Sequence, residues 1–390
     1  MERVLVTGLG VASCLGMDLD SYWSGLLSAT STPRPVDDPG ARMRNRLLYG
    51  IGPVPEPPTD GAGSPGRTSA FAVHAGGAAL ADAGLADLPD PSRVGVAVGT
   101  GVGDCSLPEQ ARLADSTPQG LDAYTFKVGS MLAARYGLAG PMISVSTACS
   151  ASAYGVSLAV EAIATGAADV VLAGGADGYT RVGVACFNRL GALDPERCRP
   201  FDADRVGTIF GEGAAFLVLE SESHARARGR DRHYGVVEGS GWSCDGHHPT
   251  APDAGARQIA RAMRTALDEA GVDPADVGCV VPHGTGTPLN DVVESRALHQ
   301  VLGPSAATVP VYSLKAMLGH TGGAAGAFSL LTAMLILDRG AIPPNVPLGR
   351  PDPECVIELS GPAPLAPAPR HVLVNAYAFG GNNCSVLVGR

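Results

Sequence analysis

Cys149 has a sequence setting that suits a nucleophilic thiol. It lies in Val-Ser-Thr-Ala-Cys-Ser-Ala-Ser (145–152), where a β-branched run gives way to small residues just before the apolar stretch 154–164. This pattern predicts a strand, a sharp turn and a buried helix, with the thiol at the turn. The free N–H groups and the dipole at a helix N-terminus favour thiolate over thiol. For this residue alone, a buried packing cysteine remains the alternative.

Two histidines and a lysine downstream could assist such a thiol. His283 follows the apolar run 277–281, so we expect it at the carboxyl end of a strand. His320 lies at a predicted strand-to-helix junction, five residues after Lys315. Lys315 is one of only two lysines among 28 basic residues. Because a compact ammonium can orient an imidazole or a carboxylate that a planar guanidinium would crowd, we interpret Lys315 as functional.

A glycine-rich loop completes the set of motifs. It reads Asn-Ala-Tyr-Ala-Phe-Gly-Gly-Asn-Asn over residues 375–383. Paired glycines allow backbone conformations that a side chain would forbid, and they can turn amide N–H groups toward a ligand. Each motif is weak alone, since a strand-end histidine is often structural and a Gly-Gly turn is common.

Together and in this order, the motifs resemble those of the β-ketoacyl-[acyl carrier protein] synthases, the elongating type II ketosynthases among the thiolase-fold condensing enzymes. The resemblance covers nearly the whole chain. Its most specific stretches are Thr147-Ala-Cys-Ser, Phe201-Asp-Ala-Asp-Arg-Val-Gly with Gly211-Glu-Gly, His283-Gly-Thr-Gly-Thr, Lys315 with Gly319-His320, and Phe379-Gly-Gly.

An internal repeat indicates the architecture independently. Ala79-Leu-Ala-Asp-Ala-Gly-Leu, followed by Val94-Gly-Val-Ala-Val-Gly, recurs as Ala266-Leu-Asp-Glu-Ala-Gly-Val, followed by Val277-Gly-Cys-Val-Val. Two such copies predict an α/β protein with two mixed sheets and helices between and around them. With the resemblance, this implies a thiolase-like fold of two duplicated βαβαβαββ halves in an α-β-α-β-α sandwich. We predict halves at 1–232 and 233–390, with a surface excursion at 31–67 in the first and a Pro-rich loop at 343–370 in the second.

The resemblance implies a decarboxylative Claisen condensation. Cys149 would take an acyl chain from acyl carrier protein, and the N–H groups of Cys149 and Phe379 would stabilise the oxyanion. His283 and His320 would then stabilise the enolate that malonyl-carrier protein forms on losing CO2. The supporting residues that the resemblance implies are Lys315 with Glu294 as its counter-ion, Thr285 and Thr287 along the pantetheine channel, and Phe379, Gly380 and Gly381 in a loop that gates acyl entry.

Departures from the family pattern bear on the substrate. The gating loop has Ala376, Tyr377 and Ala378 where elongating synthases usually have Ser-Phe-Gly, which indicates a gate for a different chain. We therefore favour type II polyketide, polyene or other specialised metabolism over housekeeping fatty acid elongation. A thiolase would use a second cysteine, for which only Cys384 is near, and an initiating synthase would have Asn for the second histidine. A non-catalytic subunit such as a chain-length factor would lack Cys149.

Composition limits the partners. The 390 residues carry a net charge of −10, which makes nucleic acid an unfavourable partner. Nine cysteines without a Cys-x-x-Cys pair argue against disulfides and structural zinc. No apolar run is long enough to span a membrane, and no signal peptide is visible, so we expect a cytoplasmic protein. The family implies no bound cofactor or metal, substrates on the phosphopantetheine of acyl carrier protein, and a homodimer or a heterodimer with a chain-length factor. Candidate docking residues are Arg42, Arg44, Arg46, Arg67, Arg197 and Arg199.

Overall fold

The computed structural model of the protein describes residues 2–38, 43, 45–52, 65–88, 90–116, 124–367 and 369–390. Its strands are β1 (Val4–Ala12), β2 (Arg34–Pro35), β3 (Leu47–Tyr49), β4 (Val94–Gly99), β5 (Met142–Val145), β6 (Val170–Asp177), β7 (Phe210–Gly211), β8 (Gly213–Ser221), β9 (Gly235–Cys244), β10 (Cys279–Val281), β11 (Pro310–Val311), β12 (Glu358–Leu359), β13 (His371–Tyr377) and β14 (Asn382–Gly389). Its helices are α1 (Leu19–Leu27), α2 (Arg67–Asp82), α3 (Ser106–Leu113), α4 (Phe126–Tyr136), α5 (Ala151–Ala164), α6 (Arg181–Arg189), α7 (Glu222–Ala227), α8 (Arg257–Ala270), α9 (Pro288–Leu302), α10 (Lys315–Leu318) and α11 (Ala325–Arg339).

The strand order repeats between the two halves of the chain. In the first half it is β5-β4-β6-β8-β1, and in the second it is β11-β10-β13-β14-β9, with β12 added at the edge. In each half the fourth strand of this order, β8 or β14, is antiparallel to both of its neighbours. The half-sheets join through β1 and β9, which pair over Leu5↔Val236 and Val6↔Gly235. The order confirms the predicted duplication, while the division at residue 232 stays a prediction.

Five layers follow from the helix contacts. Helix α2 packs on β1, β8 and β6, and α4 packs beside it on the outer face of the first half. Helices α8 and α9 cover the outer face of the second half in the same way. Helices α5 and α11 contact strands of both halves and each other, so they form the middle layer. The predicted α-β-α-β-α sandwich is confirmed.

Small residues explain the close packing of the middle layer. Helix α11 is almost entirely buried and the N-terminal half of α5 is mostly buried, and a Cβ on Gly326 of α11 would lie only 2.8 Å from the Ala153 Cβ of α5. A larger side chain at either position would separate the helices and move the loops that precede them. The high glycine content thus lets the N-terminal turns of α5 and α11 meet.

The residues between β1 and α2 differ from the predicted surface excursion. Their described part contains β2 and β3, and β3 pairs in parallel with β7 to form a second, three-stranded sheet. Tyr49 of β3 is fully buried. Residues 53–64 lie outside the described part. The predicted Pro-rich loop 343–370 likewise contributes the short strand β12. Among the described residues, none of the helices is long and apolar enough to cross a membrane.

Candidate active site

Cys149 occupies the predicted turn between a strand and a buried helix. Strand β5 ends at Val145, a single 3-10 turn covers Ala148–Ser150, and α5 begins at Ala151. Ala148 has a φ of 48°, in the left-handed region that non-glycine residues rarely adopt. A strained conformation of this kind persists only where the surrounding structure holds it. At Ala148 it places the thiol of the next residue at the start of the central helix.

His320 lies against the sulfur of Cys149. The distance between His320 Nε2 and Cys149 Sγ is 3.0 Å, across 171 positions of sequence. The backbone of His320 is tied to β7: its N–H donates to the Ile209 carbonyl at 2.8 Å, and its carbonyl accepts from Gly211 N–H at 3.0 Å. The Phe210 ring stacks parallel to the imidazole, with centroids 6.0 Å apart. The small sheet therefore sets the height of His320 above Cys149.

Tyr49 supports the loop that carries Lys315 and His320. Its hydroxyl donates to the Ala316 carbonyl at 3.4 Å and accepts from the Cys198 N–H at 3.4 Å. Its ring lies so close to Gly319 that a Cβ there would be 2.4 Å from it. The described part of the region 31–67 thus forms a floor beneath the site. The loop-like composition of this region did not predict that role.

His283 and Lys315 form a second polar pair. His283 follows β10, as predicted, and its imidazole lies 5.6 Å from that of His320, measured between ring centroids. Lys315, the first residue of α10, has its Nζ 3.5 Å from His283 Nδ1 and also donates to the His283 carbonyl. Because an ammonium can only donate, Nδ1 accepts, and the hydrogen of a neutral His283 imidazole is then on Nε2.

Glu294 is buried beneath this pair. It projects from α9, and its two oxygens accept the N–H groups of His283 at 2.8 Å and Gly284 at 2.7 Å. Asn375 Nδ2 donates to it at 3.3 Å. The carboxylate acts on Lys315 through its charge and on His283 through the backbone that it holds. Its position on a charged helix carries no sequence signal for this role, because an exposed carboxylate is the usual case there.

Burial governs the protonation of the site. It lowers the pKa of His320 to about 3, and it lowers the pKa of His283 as well, in both cases with help from the Lys315 charge. Burial also lowers the pKa of Lys315, an effect that Glu294 opposes, and raises the pKa of Glu294 to about 7. Both imidazoles are therefore neutral at pH 7 and can donate N–H groups without carrying a charge.

The thiol of Cys149 differs from the expected thiolate. Burial raises its pKa to about 11, although Lys315 and the N–H groups of Phe379 and Cys149 act to lower it. Desolvation therefore outweighs the helix N-terminus in the resting site. The residue is a thiol hydrogen-bonded to a neutral imidazole, and the proton must leave as the sulfur attacks.

This protonation predicts the pH dependence of thiol alkylation. Because only the thiolate reacts and the pKa is raised, we expect the rate of Cys149 alkylation by iodoacetamide to increase about tenfold per pH unit from pH 7 to 9.5. Peptide mass spectrometry of Cys149 after timed exposure measures that rate. A rate that is already constant across this range would contradict the neutral thiol.

The predicted glycine loop lies on the other side of Cys149. The N–H groups of Phe379 and of Cys149 itself act to lower the pKa of the Cys149 thiol. Gly380 and Gly381 have φ values of 85° and 76°, which only glycine adopts readily. Gly380 N–H donates to the Pro249 carbonyl at 2.8 Å, so the turn is anchored. The two amides predicted to bind an oxyanion thus converge on one point.

Two cavities meet at Cys149. The first, which we call the entry cavity, has a volume of about 320 Å³, and its lining includes His283, His320, Thr285, Thr287 and the glycine loop. The exposed side chains of Leu190 and Leu289 also line it, so it reaches the surface. The hydroxyls of Thr285 and Thr287 are 2.9 Å apart. The predicted site residues are therefore brought together around one cleft.

The second, inner cavity has a volume of about 160 Å³. It is lined by Leu48, Gly101, Val102, Ala148, Cys149, Asp177, Gly178, Tyr179, Thr180, Gly183, Val184, Phe187, Phe210, Gly211, Gly322 and Gly323. Phe187 also lines the entry cavity and stacks on Phe379, with centroids 5.2 Å apart. Sequence reasoning missed Phe187, Phe210 and Asp177, because a lone aromatic or acid outside a motif gives no signal. Within the described ranges, no His, Cys, Asp or Glu cluster could hold a metal ion.

The candidate docking arginines differ in their environments. Arg67 binds Glu212, and Arg199 binds Asp194, both as partly buried ion pairs. Arg46 is exposed, and Arg197 is partly exposed. Arg42 and Arg44 lie outside the described residues. Arg46 and Arg197 therefore keep the more accessible charges of this set.

The chain resembles proteins of one family over its whole length. The family models "Beta-ketoacyl synthase, N-terminal domain" and "Beta-ketoacyl synthase, C-terminal domain" match residues 58–225 and 234–349. A putative polyketide β-ketoacyl synthase 1 of Streptomyces cyaneus is 34% identical, over 99% of this chain and 98% of its own. A 3-oxoacyl-[acyl-carrier-protein] synthase 2 of Rhizobium meliloti (strain 1021) is 34% identical, over 100% and 99%. The solved structure of the ishigamide ketosynthase/chain length factor has a TM-score of 0.90, with 35% identity over 100% and 99% of the chains.

Proposed function

This chain belongs to the β-ketoacyl synthase family and is a condensing acyltransferase, and we propose that Cys149 is its nucleophile. The observation that carries the proposal is the 3.0 Å contact between Cys149 Sγ and His320 Nε2 at the meeting point of two cavities. The acyl group would arrive through the entry cavity and extend into the inner cavity. Each cavity then has one role in the reaction.

In the first half-reaction the sulfur attacks the carbonyl of an acyl thioester. The thiol proton passes toward His320 Nε2, the ring nitrogen in contact with the sulfur, and from there to the departing pantetheine thiolate. The N–H groups of Cys149 and Phe379 stabilise the oxyanion, a role worth about 3 kcal/mol per donor. The chain is then held as a thioester of Cys149.

In the second half-reaction a malonyl thioester takes the place of the departed carrier in the entry cavity. Its carboxyl carbon leaves as CO2, and the electron pair of the broken bond forms an enolate. The Nε2–H of His283 stabilises the enolate oxygen, and Lys315 keeps that hydrogen on Nε2 by occupying Nδ1. Because acylated Cys149 no longer donates a thiol proton to His320 Nε2, the neutral His320 imidazole donates from this nitrogen as its Nε2–H tautomer. The carbanion attacks the acyl carbon, and Cys149 leaves as the thiolate, which then takes up one proton from solvent.

The partners of the family follow from this chemistry. We infer that acyl carrier protein delivers both substrates on its phosphopantetheine arm, because the entry cavity is a cleft from the surface to Cys149. Thr285 and Thr287 would bind the amides of the arm, and no further cofactor takes part. The mouth of the entry cavity carries the exposed Leu190 and Leu289. Arg46 and Arg197 remain the candidate residues for docking the acidic surface of the carrier protein. A cytoplasmic location remains a prediction from the sequence.

The names of the relatives leave two kinds of pathway open for this chain. The relative named a putative polyketide β-ketoacyl synthase 1 and the relative named a 3-oxoacyl-[acyl-carrier-protein] synthase 2 are equally similar, at 34% identity. We propose specialised metabolism, as a type II polyketide or polyene synthase, because Tyr377 and Ala378 alter the loop beside Cys149. Housekeeping fatty acid elongation is the alternative. A chain-length-factor role is disfavoured by the intact contact between Cys149 and His320.

The proposed function is tested by CO2 release. Malonyl carrier protein labelled at its free carboxyl is mixed with the purified chain, with and without an acyl carrier protein thioester. We expect labelled CO2 and a 3-oxoacyl product two carbons longer only when both substrates are present. Absence of the product with every acyl donor, for a folded protein, would contradict the proposal.

The supporting floor gives a separate prediction. Gly319→Ala would push its Cβ into Tyr49 and displace His320, so we expect the condensation rate to fall about 100-fold, as for a 1 Å misplacement. The matched control is Gly340→Ala, which has a similar φ of 78° and nothing within 4 Å of the added Cβ. Steady-state rates of both variants and their Tm values measure the effect. Equal losses in the two variants would refute a positioning role for Gly319.

The outer edge of β5 is the location that we predict for the subunit interface. It is the outer strand of the first half, with Met142 47% exposed, and Tyr124 stacks on Phe126 in the adjoining segment, where both rings are exposed. Because an apolar edge strand pairs readily with another chain, we expect the dimer to form there. Met142→Lys should convert the dimer to monomers in light scattering, whereas Val356→Lys, also at an exposed apolar residue, should not. A dimeric Met142→Lys variant would contradict this location.

A further inference from the structure

The inner cavity carries an inference about the acyl chain, which rests on the proposed function. We propose that the chain that Cys149 accepts is a hydrocarbon chain already reduced at C3, saturated or unsaturated, and that a 3-oxoacyl chain is rejected. The inference comes from the groups that form the cavity wall beyond the sulfur. It selects between two substrate classes, the reduced chains and the poly-β-ketone chains.

The wall is formed mainly by carbon. Phe187 and Phe210 pack edge to face, with centroids 4.7 Å apart, and Leu48, Val102 and Val184 complete the apolar lining. Much of the remaining surface is glycine backbone. An alkyl or conjugated chain bonded to Cys149 would exchange water for these surfaces, which is favourable in proportion to the apolar area that it buries.

Asp177, a residue of this wall, already accepts from four donors. One oxygen of this buried carboxylate accepts the N–H groups of Gly101 at 2.8 Å and Gly323 at 2.5 Å. The other accepts the Thr100 hydroxyl at 2.7 Å and the Val102 N–H at 3.3 Å. Burial raises the pKa of Asp177 to about 6, so the group is mainly a carboxylate at pH 7.5. It would repel a carbonyl oxygen rather than donate to it.

The other polar side chains of the wall each have a hydrogen-bond partner as well. The Tyr179 hydroxyl donates to Asp38 Oδ2 at 3.0 Å, and the Thr180 oxygen accepts from Gly183 N–H, where it caps α6. In the described part of this lining, every fully buried side-chain nitrogen or oxygen has a partner. The entry cavity differs, since His320 Nδ1 and the Tyr377 hydroxyl are buried there with no such hydrogen bond.

A keto group at C3 would therefore lose its hydrogen bonds to water on entering the inner cavity. The cost of an unsatisfied buried carbonyl corresponds to roughly 5- to 150-fold in an equilibrium or a rate. A methylene or a vinyl carbon at the same position carries no such cost. The wall thus disfavours a C3 keto group, because the polar side chains of the wall already have hydrogen-bond partners. This preference acts on the step that loads the acyl chain onto Cys149.

This discrimination places the enzyme in a reaction sequence. Its own product is a 3-oxoacyl thioester, formed when one C–C bond joins the two substrates and another breaks to release CO2. Such a product is a poor substrate for a second loading. A hydride-donating reductase must first add a hydride to C3 and a proton to its oxygen. A dehydratase must then remove the resulting C3 hydroxyl and a C2 hydrogen as water, which gives a 2-enoyl chain that can return to Cys149.

Loading by matched chains tests the inference. Hexanoyl, 2-hexenoyl and 3-oxohexanoyl carrier proteins are each mixed with the enzyme, and the acyl adduct is timed by intact-protein mass spectrometry. We expect hexanoyl and 2-hexenoyl to load at similar rates and 3-oxohexanoyl at least tenfold more slowly. With hexanoyl and excess malonyl carrier protein but no reductase, the product should stop at 3-oxooctanoyl.

A variant of the wall provides a second test. Val184→Thr replaces one methyl group of the lining by a hydroxyl of similar size. We expect this change to reduce the preference for hexanoyl over 3-oxohexanoyl severalfold. Val218→Thr, at a buried position of β8 outside both cavities, should leave the preference unchanged. If Val184→Thr does not fold, the comparison of chains in the unmodified enzyme still decides.

The outcomes separate the two proposals. Equal loading of 3-oxohexanoyl and hexanoyl, or products with two or more keto groups, would overturn the inference and leave the synthase assignment intact. Failure of all three chains to load a folded enzyme would overturn the proposed function and the inference with it. Fast loading of the reduced chains alone supports both.

Discussion

Cys149→Ala is expected to abolish acyl loading and to lower the condensation rate by four to six orders of magnitude, as roughly found when a nucleophile is removed. The sulfur forms the only covalent bond that the proposed mechanism gives to the protein. His320, 3.0 Å away, and the N–H groups of Phe379 and Cys149 are all arranged around it. Without sulfur they have nothing to activate. Rates of 3-oxoacyl formation, followed by mass spectrometry of the carrier protein, measure the loss.

The matched control is a second buried cysteine. Cys384→Ala removes a thiol that is packed in the core and contacts Ser157 Oγ at 3.8 Å. A thiolase mechanism would need this cysteine as a base, whereas the proposed one does not. We expect its rate to remain within about threefold of the unmodified enzyme, since neither the loading step nor the enolate uses it. A comparable loss in both variants, with unchanged Tm values, would favour the thiolase reading.

His283→Ala is expected to separate the two half-reactions. His283 lies 5.6 Å from His320 between ring centroids and is not the imidazole in contact with the sulfur. We therefore expect acyl loading to stay within about tenfold, while CO2 release and condensation fall by about 100- to 10,000-fold, the range for a lost proton donor. Pre-steady-state loading and CO2 release, measured on the same preparation, show the separation.

Two further variants sharpen that result. His320→Ala should slow both half-reactions, because its Nε2 contacts Cys149 and its ring also lines the entry cavity. His74→Ala removes an imidazole that only bonds to the Met17 carbonyl, and it should change neither step. If His283→Ala blocked loading as strongly as condensation, His283 would belong to the first half-reaction and the assignment of roles would be wrong.

The sequence predicts the parts of the site that local patterns encode. The turn at Cys149 follows from small residues between a β-branched run and an apolar stretch, and His283 follows from its place after a short apolar run. The duplicated strand order follows from a repeat of helix, turn and buried strand. In the first two cases the information lies within about ten residues, where hydrophobic period and turn residues determine the local structure.

The parts that the sequence does not predict depend on distant contacts. Glu294 is expected only from the family resemblance, because local pattern does not distinguish it from other helix carboxylates and its contact with the His283 N–H is made only in the folded chain. Phe187 lies on a helix that carries no motif. The role of Tyr49 depends on β3 pairing with β7, across some 160 residues that local pattern cannot connect. The protonation of Cys149 cannot be predicted from local sequence, because burial, which raises its pKa, outweighs the N–H groups that lower it.

The measurement that tests the central claim most directly is a two-step intact-mass experiment. The enzyme is first incubated with hexanoyl carrier protein, and malonyl carrier protein is then added to the isolated adduct. The account predicts a hexanoyl adduct located on Cys149 by peptide mapping, and its discharge with CO2 release and a 3-oxooctanoyl product on the second carrier. An adduct at another residue, or one on Cys149 that malonyl carrier protein does not discharge, would contradict it.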